Sequence, residues 1–200
     1  MRCGFTGLHR SADRLSLEWP IAFQKGDRVT ESSSQAQINT PLRVCLADYA
    51  DRVHAAAVVD LLDVYARDLA GGGHPLSDFA KANLIKELAA RPQAFSVLAF
   101  EGDQAVGLIN CIEGFSTFAC RPLVNIHDVS VRPGHRGQRI GEKMIALVEE
   151  IARKRGACKL TLEALQGNVG AIKLYERVGF GGFQLDPAMG QARFFQKWLE

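Results

Sequence analysis

The sequence predicts an α/β fold of mixed α+β type, in which one mixed sheet is flanked by helices. Three observations support this. Short alternating runs typical of strands interleave with longer runs of helical period. The turn at residues 101–104 connects two strand-like runs as a hairpin. Residues 125–144 read as a strand, a turn dense in glycine and arginine, and then a helix.

The chain divides into two parts by composition. Residues 31–40 are polar and without pattern, and residues 1–26 show no sustained period. We therefore expect residues 1–40 to be an N-terminal extension or linker, a candidate for disorder. Residues 41–200 carry the periodic segments, and their length suffices for one domain with a hydrophobic core.

Apolar periodicity and turn residues predict the order of the elements within residues 41–200. Four helices are expected, at residues 51–69, 77–90, about 138–156 and 168–178. The third presents Ile140, Met144 and Val148 on one apolar face and ends at Gly156. Six to seven strands are expected, at residues 43–47, 95–101, 105–115, 123–131, 158–164, near 183 and at 193–198.

The turn before the third helix has the composition of an anion site. A helix that begins near Gln138 leaves its first backbone N–H groups without intrahelical partners, and positive partial charge gathers there. Gly137 and Gly141 leave room for an oxyanion beside the backbone, while Arg136 and Arg139 add positive charge. The sequence therefore predicts a pyrophosphate site. The spacing matches neither a P-loop nor the Gly-x-Gly-x-x-Gly fingerprint.

Two linked motifs resemble the GNAT superfamily of N-acetyltransferases over roughly residues 43–198. The family pairs Arg/Gln-x-x-Gly-x-Gly/Ala with a later Asn and Leu-Tyr-x-x-x-Gly-Phe. The matching residues here are Arg136, Gly141, Asn168, Leu174, Tyr175, Gly179 and Phe180. The chain departs from the pattern at Arg139, which stands where the family has its central glycine. The resemblance implies a GNAT fold, with a mostly antiparallel sheet, a central splay between strands and about four helices.

The same resemblance implies an enzyme that binds acetyl-CoA. The backbone of Val129 and Val131 would bond the amides of the pantetheine arm, as an extended ligand does when it adds to a strand edge. Asn168 would cap its helix and bond the same arm. The implied cofactor-binding residues are Val129, Ser130, Val131, Arg136, Gly137, Gln138, Arg139, Ile140, Gly141, Glu142, Asn168, Ala171 and Tyr175.

Acetyl transfer to an amine needs a group that removes a proton, since an alkylammonium has a pKa near 10.4. His127 has a suitable side chain and lies where related polyamine acetyltransferases carry a glutamate. Asp128 and Glu163 are competing candidates. Each of the three has an alternative role. His127 could be a histidine hydrogen-bonded within the sheet, and Asp128 could orient neighbouring backbone. Glu163 could bind a cationic substrate or face solvent.

Tyr175 is the candidate general acid. Its phenol is a proton donor at neutral pH, and the family motif places it beside the cofactor sulfur. The alternative is a core tyrosine on the apolar stripe that Ala171, Leu174 and Val178 form.

Residues 114–118 and 123–128 look like the corresponding region of spermidine/spermine and thialysine N-acetyltransferases. The expected acceptor is therefore a primary amine of a small molecule, a diamine, polyamine or amino-acid-like amine, attacked directly in a ternary complex. Two alternatives stay open. The domain could be a catalytically weak acyl-CoA-binding sensor, or it could acetylate peptides or proteins.

Charge and cysteine usage exclude other classes. A net charge of +2 is too small for a nucleic-acid binder. Five cysteines without Cys-x-x-Cys pairing predict neither a disulfide framework nor a metal site. No apolar run reaches the roughly 18 residues of a membrane span, so we expect a cytoplasmic protein without a membrane partner. A homodimer through a terminal strand is also expected, since dimers are frequent in the resembling family.

Overall fold

A computed structural model describes residues 41–183, 186, 188, 190 and 193–199. The predicted extension at residues 1–40 lies outside the described residues. The helices are α1 Arg52–Arg67, α2 Asp78–Ala89, α3 Ile140–Lys154 and α4 Val169–Arg177. The strands are β1 Leu42–Leu46, β2 Ala94–Glu101, β3 Gln104–Ser116, β4 Arg121–Val131 and β5 Leu160–Leu162. Short 3₁₀ turns occupy Leu69–Gly71 and Pro133–His135.

The strands form one mostly antiparallel sheet in the order β1-β2-β3-β4-β5, and only the β4–β5 pair is parallel. The predicted mixed α/β fold with four helices is confirmed. The expected number of strands was six to seven, whereas the described residues form five. The difference lies at the C-terminus, because neither Phe183 nor residues 193–199 are in a strand.

Helices cover both faces of the sheet. On one face, α3 buries Ile140, Met144 and Val148 against strand residues such as Val97 and Ile109, as its apolar stripe predicts. On the other face, α1 buries Val58 and Leu61 against Leu98, Phe100 and Leu108. The two cores hold β3 and β4 at the centre, so the parts of β4 that carry the site are fixed from both sides.

A bulge at His127 changes which residues of β4 face β5. Upstream, Val124 and Ile126 pair with β5. Opposite β3, the register moves from Cys111↔Ile126 to Asn110↔Asp128, so His127 is an extra residue. Such a bulge shifts the alternation of the strand by one position. Downstream, the backbone N–H and C=O groups of Val129 and Val131 therefore point toward the edge of β4 on which β5 lies.

The bulge coincides with the point at which β4 and β5 separate. Strand β5 ends at Leu162, opposite Ile126, while β4 continues to Val131. This is the central splay that the family resemblance implies. It leaves one edge of β4 without a partner strand among the described residues. No helix in the described part of the chain is both long and apolar enough to cross a bilayer.

Candidate functional site

A cleft of about 940 Å³ opens where β4 and β5 separate. Its walls are β4 residues 126, 127 and 129–131, the residues after β5, the turn before α3, and α4. Of the implied cofactor-binding residues, Gln138 alone is absent from the lining. Gln138 is exposed in the turn, and its Nε2 donates to the Gly134 carbonyl at 3.5 Å. The expected helix start near residue 138 is therefore wrong by two residues, since α3 begins at Ile140.

The turn before α3 presents backbone N–H groups without partners. Among the described residues, the amides from Gly137 to Glu142 have no hydrogen-bond acceptor, and α3 has no side-chain cap. These amides line one end of the cleft beside the positive end of the α3 dipole. The arrangement is suited to bind a diphosphate, which the sequence predicts for this turn.

Arg139 shows why a glycine is usual at its position. Its φ is +59°, in the left-handed region that side chains with a Cβ rarely adopt. Gly137, two residues earlier, also has a positive φ, of +81°. The backbone shape that glycine would favour is thus retained with an arginine. The Arg139 side chain is exposed and forms no ion pair with the described residues.

Gly141 lines the cleft and has a packing role besides. A Cβ at Gly141 would lie 2.8 Å from Cδ2 of Leu174, in α4. The glycine therefore lets α4 pack closely on the start of α3, which the sequence motif alone does not reveal. Glu142, next along α3, is paired through Oε1 with Nε of Arg177 in α4 at 2.8 Å. Both contacts fix α4, and with it Tyr175, against the turn.

Arg136 is engaged by the protein itself. Its Nη2 lies 2.9 Å from Oδ2 of Asp68, and its Nε donates to the Val131 carbonyl at 3.0 Å. A hydrogen bond from the Ala70 amide, and after it the one from Arg136, hold the pKa of Asp68 below its usual value. Arg136 thus ties the turn to the loop after α1, while the N–H groups of its guanidinium that these two bonds do not use remain available to a phosphate.

The free edge of β4 carries the backbone groups of Val129 and Val131. The amide of Arg132 donates to the Val106 carbonyl. After the bulge, the backbone groups of even-numbered residues therefore form hydrogen bonds with β3. The groups of Val129 and Val131 therefore point into the splay. One of them, the Val131 carbonyl, is taken by Arg136. The Ser130 side chain points away from the cleft and donates to the Leu61 carbonyl of α1 at 3.2 Å.

Tyr175 lies on α4 at the inner wall of the cleft. Burial raises the pKa of Tyr175 to about 12, with a smaller effect from Tyr65, so the phenol is protonated at neutral pH. Its ring packs edge-on against Phe180 at a centroid distance of 5.9 Å. Asn168 caps α4 by accepting from the Ala171 amide at 3.2 Å, as its position predicts. Ala171 also lines the cleft.

The three candidate bases lie in different places. His127 and Glu163 are exposed and line the cleft. Asp128 does not line it, because its side chain lies on the α1 face of the sheet, where Nδ2 of Asn110 donates to Oδ2 at 3.0 Å. The structure thus does not bring these side chains together at one point.

Tyr65 lines the cleft, and burial raises the pKa of its phenol, with further contributions from the charges of Asp128 and Asp68. Three other polar residues near Asp128 were not predicted from the sequence. Behind Asp128, a hydrogen-bonded chain continues from Asn110 to Ser96 and Tyr49. A signal was present, since Ser96 and Asn110 are single polar residues within apolar strand sequences. No cluster of three metal-binding side chains occurs among the described residues.

Comparison with known proteins identifies a family for this arrangement. Residues 57–180 match the model of the acetyltransferase (GNAT) family. Streptothricin acetyltransferase of Streptomyces lavendulae is 39% identical over 90 residues, which is 44% of this chain and 48% of that protein. The bovine thialysine N-epsilon-acetyltransferase is 38% identical over 65 residues, 32% of this chain and 38% of the relative. The chain thus spans less than half the length of these relatives.

Solved structures share the fold. An aminoglycoside acetyltransferase from an uncultured soil metagenomic sample, in complex with sisomicin, has a TM-score of 0.65 at 16% identity. The match covers 80% of this chain and 97% of that chain. Ribosomal-protein-alanine N-acetyltransferase from Brucella melitensis biovar Abortus 2308 has a TM-score of 0.60 at 18% identity, with 79% and 100% covered. At these identities the likeness shows the fold alone.

Proposed function

The chain belongs to the acetyltransferase (GNAT) family, and from this membership we propose that it transfers the acetyl group of acetyl-CoA to a primary amine. The proposed acceptor is a small cationic molecule, a diamine, polyamine or amino-acid-like amine. Two relatives support this class by their names, streptothricin acetyltransferase and thialysine N-epsilon-acetyltransferase. The cleft is lined by two carboxylates, Asp68 and Glu163, and by the phenol of Tyr65. These groups are compatible with a cationic acceptor.

One observation carries the proposal. The unpartnered amides before α3 and the unpaired edge of β4 open into the same cleft, and Tyr175 lies on its wall. A diphosphate needs the first feature and an extended chain with amide groups needs the second. CoA combines both chemical parts in one molecule, so the residues present fit it.

The residues that line the cleft would then have separate roles in binding and catalysis. The turn from Gly137 to Glu142 would hold the diphosphate, while Val129 and the Val131 amide would bond the arm. Bound acetyl-CoA supplies an acetyl group activated as a thioester. Tyr175 would donate a proton at the position of the leaving sulfur. His127 and Asp128 are the proposed acceptors of the proton that the amine loses.

Direct transfer in a ternary complex is part of the proposal. No cysteine occurs among the described residues that line the cleft, and the Ser130 hydroxyl is committed to the Leu61 carbonyl. Neither group is thus placed to carry an acetyl group. A cytoplasmic location stays the expectation from the sequence, and a homodimer is also proposed, on the family resemblance alone. The terminal segment expected to pair two copies, residues 193–198, forms no strand.

The test is thiol release from acetyl-CoA with thialysine, L-lysine, spermidine, aminoglycosides and short peptides as acceptors. We expect turnover with at least one free amine. Tyr175→Phe should lower kcat by about 100-fold or more, since general acid catalysis contributes about 10²–10⁴-fold. Its affinity for CoA should be retained, because the phenol is not among the groups proposed to hold the diphosphate.

Other outcomes would favour the alternatives. Turnover with peptides and not with free amines would indicate a peptide or protein acetyltransferase. CoA binding measured by calorimetry, without turnover on any acceptor, would indicate a sensor. A Tyr175→Phe variant with unchanged kcat would remove Tyr175 from the mechanism.

A further inference from the structure

A chain of hydrogen bonds crosses three strands and ends on Asp128. The Tyr49 hydroxyl lies 2.8 Å from Oγ of Ser96, which donates to Oδ1 of Asn110 at 2.6 Å. Nδ2 of Asn110 donates to Oδ2 of Asp128 at 3.0 Å. Ser96, Asn110 and Asp128 sit on the adjacent strands β2, β3 and β4, and Tyr49 closes the chain from the loop before α1.

The middle of this chain is buried in the sheet. Ser96 is 0% exposed and Asn110 is 7% exposed. Their strand neighbours are apolar, including Val97 and Ile109. A buried hydroxyl or amide stabilises a fold only when it is hydrogen-bonded, and an apolar side chain of the same size would serve a core as well. Packing alone therefore does not explain these two residues.

The ionised carboxylate sets one direction for every bond in the chain. A carboxylate only accepts, so Asn110 must turn its NH₂ toward Asp128 and its carbonyl toward Ser96. Ser96 then has to donate its only proton to Asn110, and Tyr49 has to donate to Ser96. Burial raises the pKa of Tyr49, which keeps its hydroxyl a donor. All three side chains thus point their protons toward Asp128.

This arrangement leaves the second oxygen of Asp128 available. Its Oδ1 has no hydrogen-bond partner among the described residues, while Oδ2 is held by Asn110. Asp128 lies near enough to Tyr65, a residue of the cleft wall, for its charge to affect the pKa of that phenol. His127, in contrast, makes no side-chain hydrogen bond to a described residue that would fix its ring.

We propose that Tyr49, Ser96 and Asn110 are positioning residues that hold the Asp128 carboxylate with Oδ1 directed to the acceptor amine. The inference rests on the proposed function. Oδ1 receives the ammonium proton, and the freed nitrogen lone pair forms the N–C bond to the acetyl carbon. The C–S bond breaks with its electron pair on sulfur, which takes a proton from Tyr175, and the amide nitrogen loses its second proton, which restores the Tyr175 phenol. An amide cannot pass a proton along, so the chain orients Asp128 and does not relay protons.

The test is a double-mutant cycle on thiol release from acetyl-CoA, with the best amine of the panel above. Ser96→Ala should lower kcat/KM for the amine by about 10–100-fold, as expected when a reacting group is displaced by about 1 Å. Asp128→Asn should lower it by about 10²–10⁴-fold. In the Asp128→Asn background, Ser96→Ala should have no further effect, because the residues act through Asp128. Tyr49→Phe should give the same pattern with a smaller loss.

The control separates positioning from stability. Ser116→Ala removes another buried serine hydroxyl, which accepts from the Ala119 amide at the end of β3. It should match Ser96→Ala in thermal midpoint and CoA affinity while keeping wild-type kcat/KM. Equal effects of Ser96→Ala in both backgrounds would overturn the proposal, as would an Asp128→Asn variant with full turnover. A wild-type protein that acetylates no amine would instead refute the proposed function, and the role of Asp128 with it.

Discussion

At the scale of the residue, Arg139 combines a backbone cost with a charge at the cleft. A left-handed conformation costs a residue with a side chain about 1–2 kcal/mol. Arg139 adopts it at φ +59°, directly before the first turn of α3. The guanidinium is exposed beside the unpartnered amides, where it adds positive charge for a diphosphate. We infer that affinity for the anion offsets the strain.

Arg139→Gly should separate the two effects. Glycine relieves the left-handed strain but adds about 0.5–1 kcal/mol of unfolded-state entropy. The thermal midpoint should therefore rise by roughly 1–4 °C. Calorimetry should show weaker CoA binding, since one charge is lost. Arg139→Ala is the control, with the same loss of affinity and no rise in midpoint. A glycine variant that binds CoA as tightly as the wild type would contradict a role for the charge.

Single residues also show how far the sequence can be read. The cap at Asn168 and the apolar face of α3 follow from local pattern, and both are confirmed. The contact between Gly141 and Leu174 joins two helices, so no local pattern could reveal it. The pairing of Arg136 with Asp68 links residues 68 positions apart. The chain from Tyr49 to Asp128 depends on strand register, which alternation within one strand does not determine.

At the scale of the element, the close approach of α3 and α4 holds the site together. Gly141 admits Leu174, and the Glu142–Arg177 pair spans the same two helices. Helix α4 has only nine residues and no fully buried side chain, so it depends on these contacts for its position. The orientation of Tyr175 within the cleft follows from the same packing.

Gly141→Ala should destabilise the protein. The new methyl group would meet the Cδ2 methyl of Leu174 at 2.8 Å, and the overpacking cost of about 1–3 kcal/mol is partly offset by movement of this flexible side-chain end and by the gain of about 0.5–1 kcal/mol for alanine over glycine in a helix. The matched control is Gly170→Ala in α4, where a Cβ meets nothing within 4 Å. It should stabilise by about 0.5–1 kcal/mol, the usual difference between alanine and glycine in a helix. Chemical denaturation measures both. Equal changes in the free energy of unfolding for the two variants would show that the Leu174 side chain moves aside without destabilising the protein.

The helices and strands were predictable where a periodic sequence pattern extends over many consecutive residues. All four helices and the first four strands lie within a few residues of their expected bounds. Strand β5 is shorter than expected, since it ends at Leu162 and not near residue 164. The terminal strand expected at residues 193–198 contains three aromatic residues, which are common in strands, yet it forms no strand. Composition shows that a segment can pair, but pairing also requires a free neighbouring edge in register.

At the scale of the whole molecule, ligand binding and stability are coupled. Among the described residues, the amides before α3 have no protein partner, and on the free edge of β4 only the Val131 carbonyl has one, so a ligand in the cleft can supply the rest. A ligand that binds the folded state alone stabilises it according to its concentration relative to Kd. A bound ligand should stabilise α3 and β4 together, since these two walls of the cleft share one hydrophobic core.

CoA at about 100 times its Kd should stabilise the protein by about 2.7 kcal/mol. The corresponding rise in thermal midpoint is roughly 5–10 °C for a domain of this size. Pantetheine, which lacks the diphosphate, should give a smaller rise at the same concentration, because it leaves the amides before α3 unpaired. Equal rises with both compounds would place the binding energy in the arm and contradict the anion site.

The unpaired edge of β4 has a second consequence. Exposed N–H and C=O groups on a strand accept any extended chain, and unprotected edges are common starting points for aggregation. The protein without its ligand therefore carries a self-association hazard at Val129 and Val131, which the Arg136 side chain relieves by occupying the Val131 carbonyl. Because we propose that CoA covers this edge, we expect purification and storage with CoA to keep the protein dispersed.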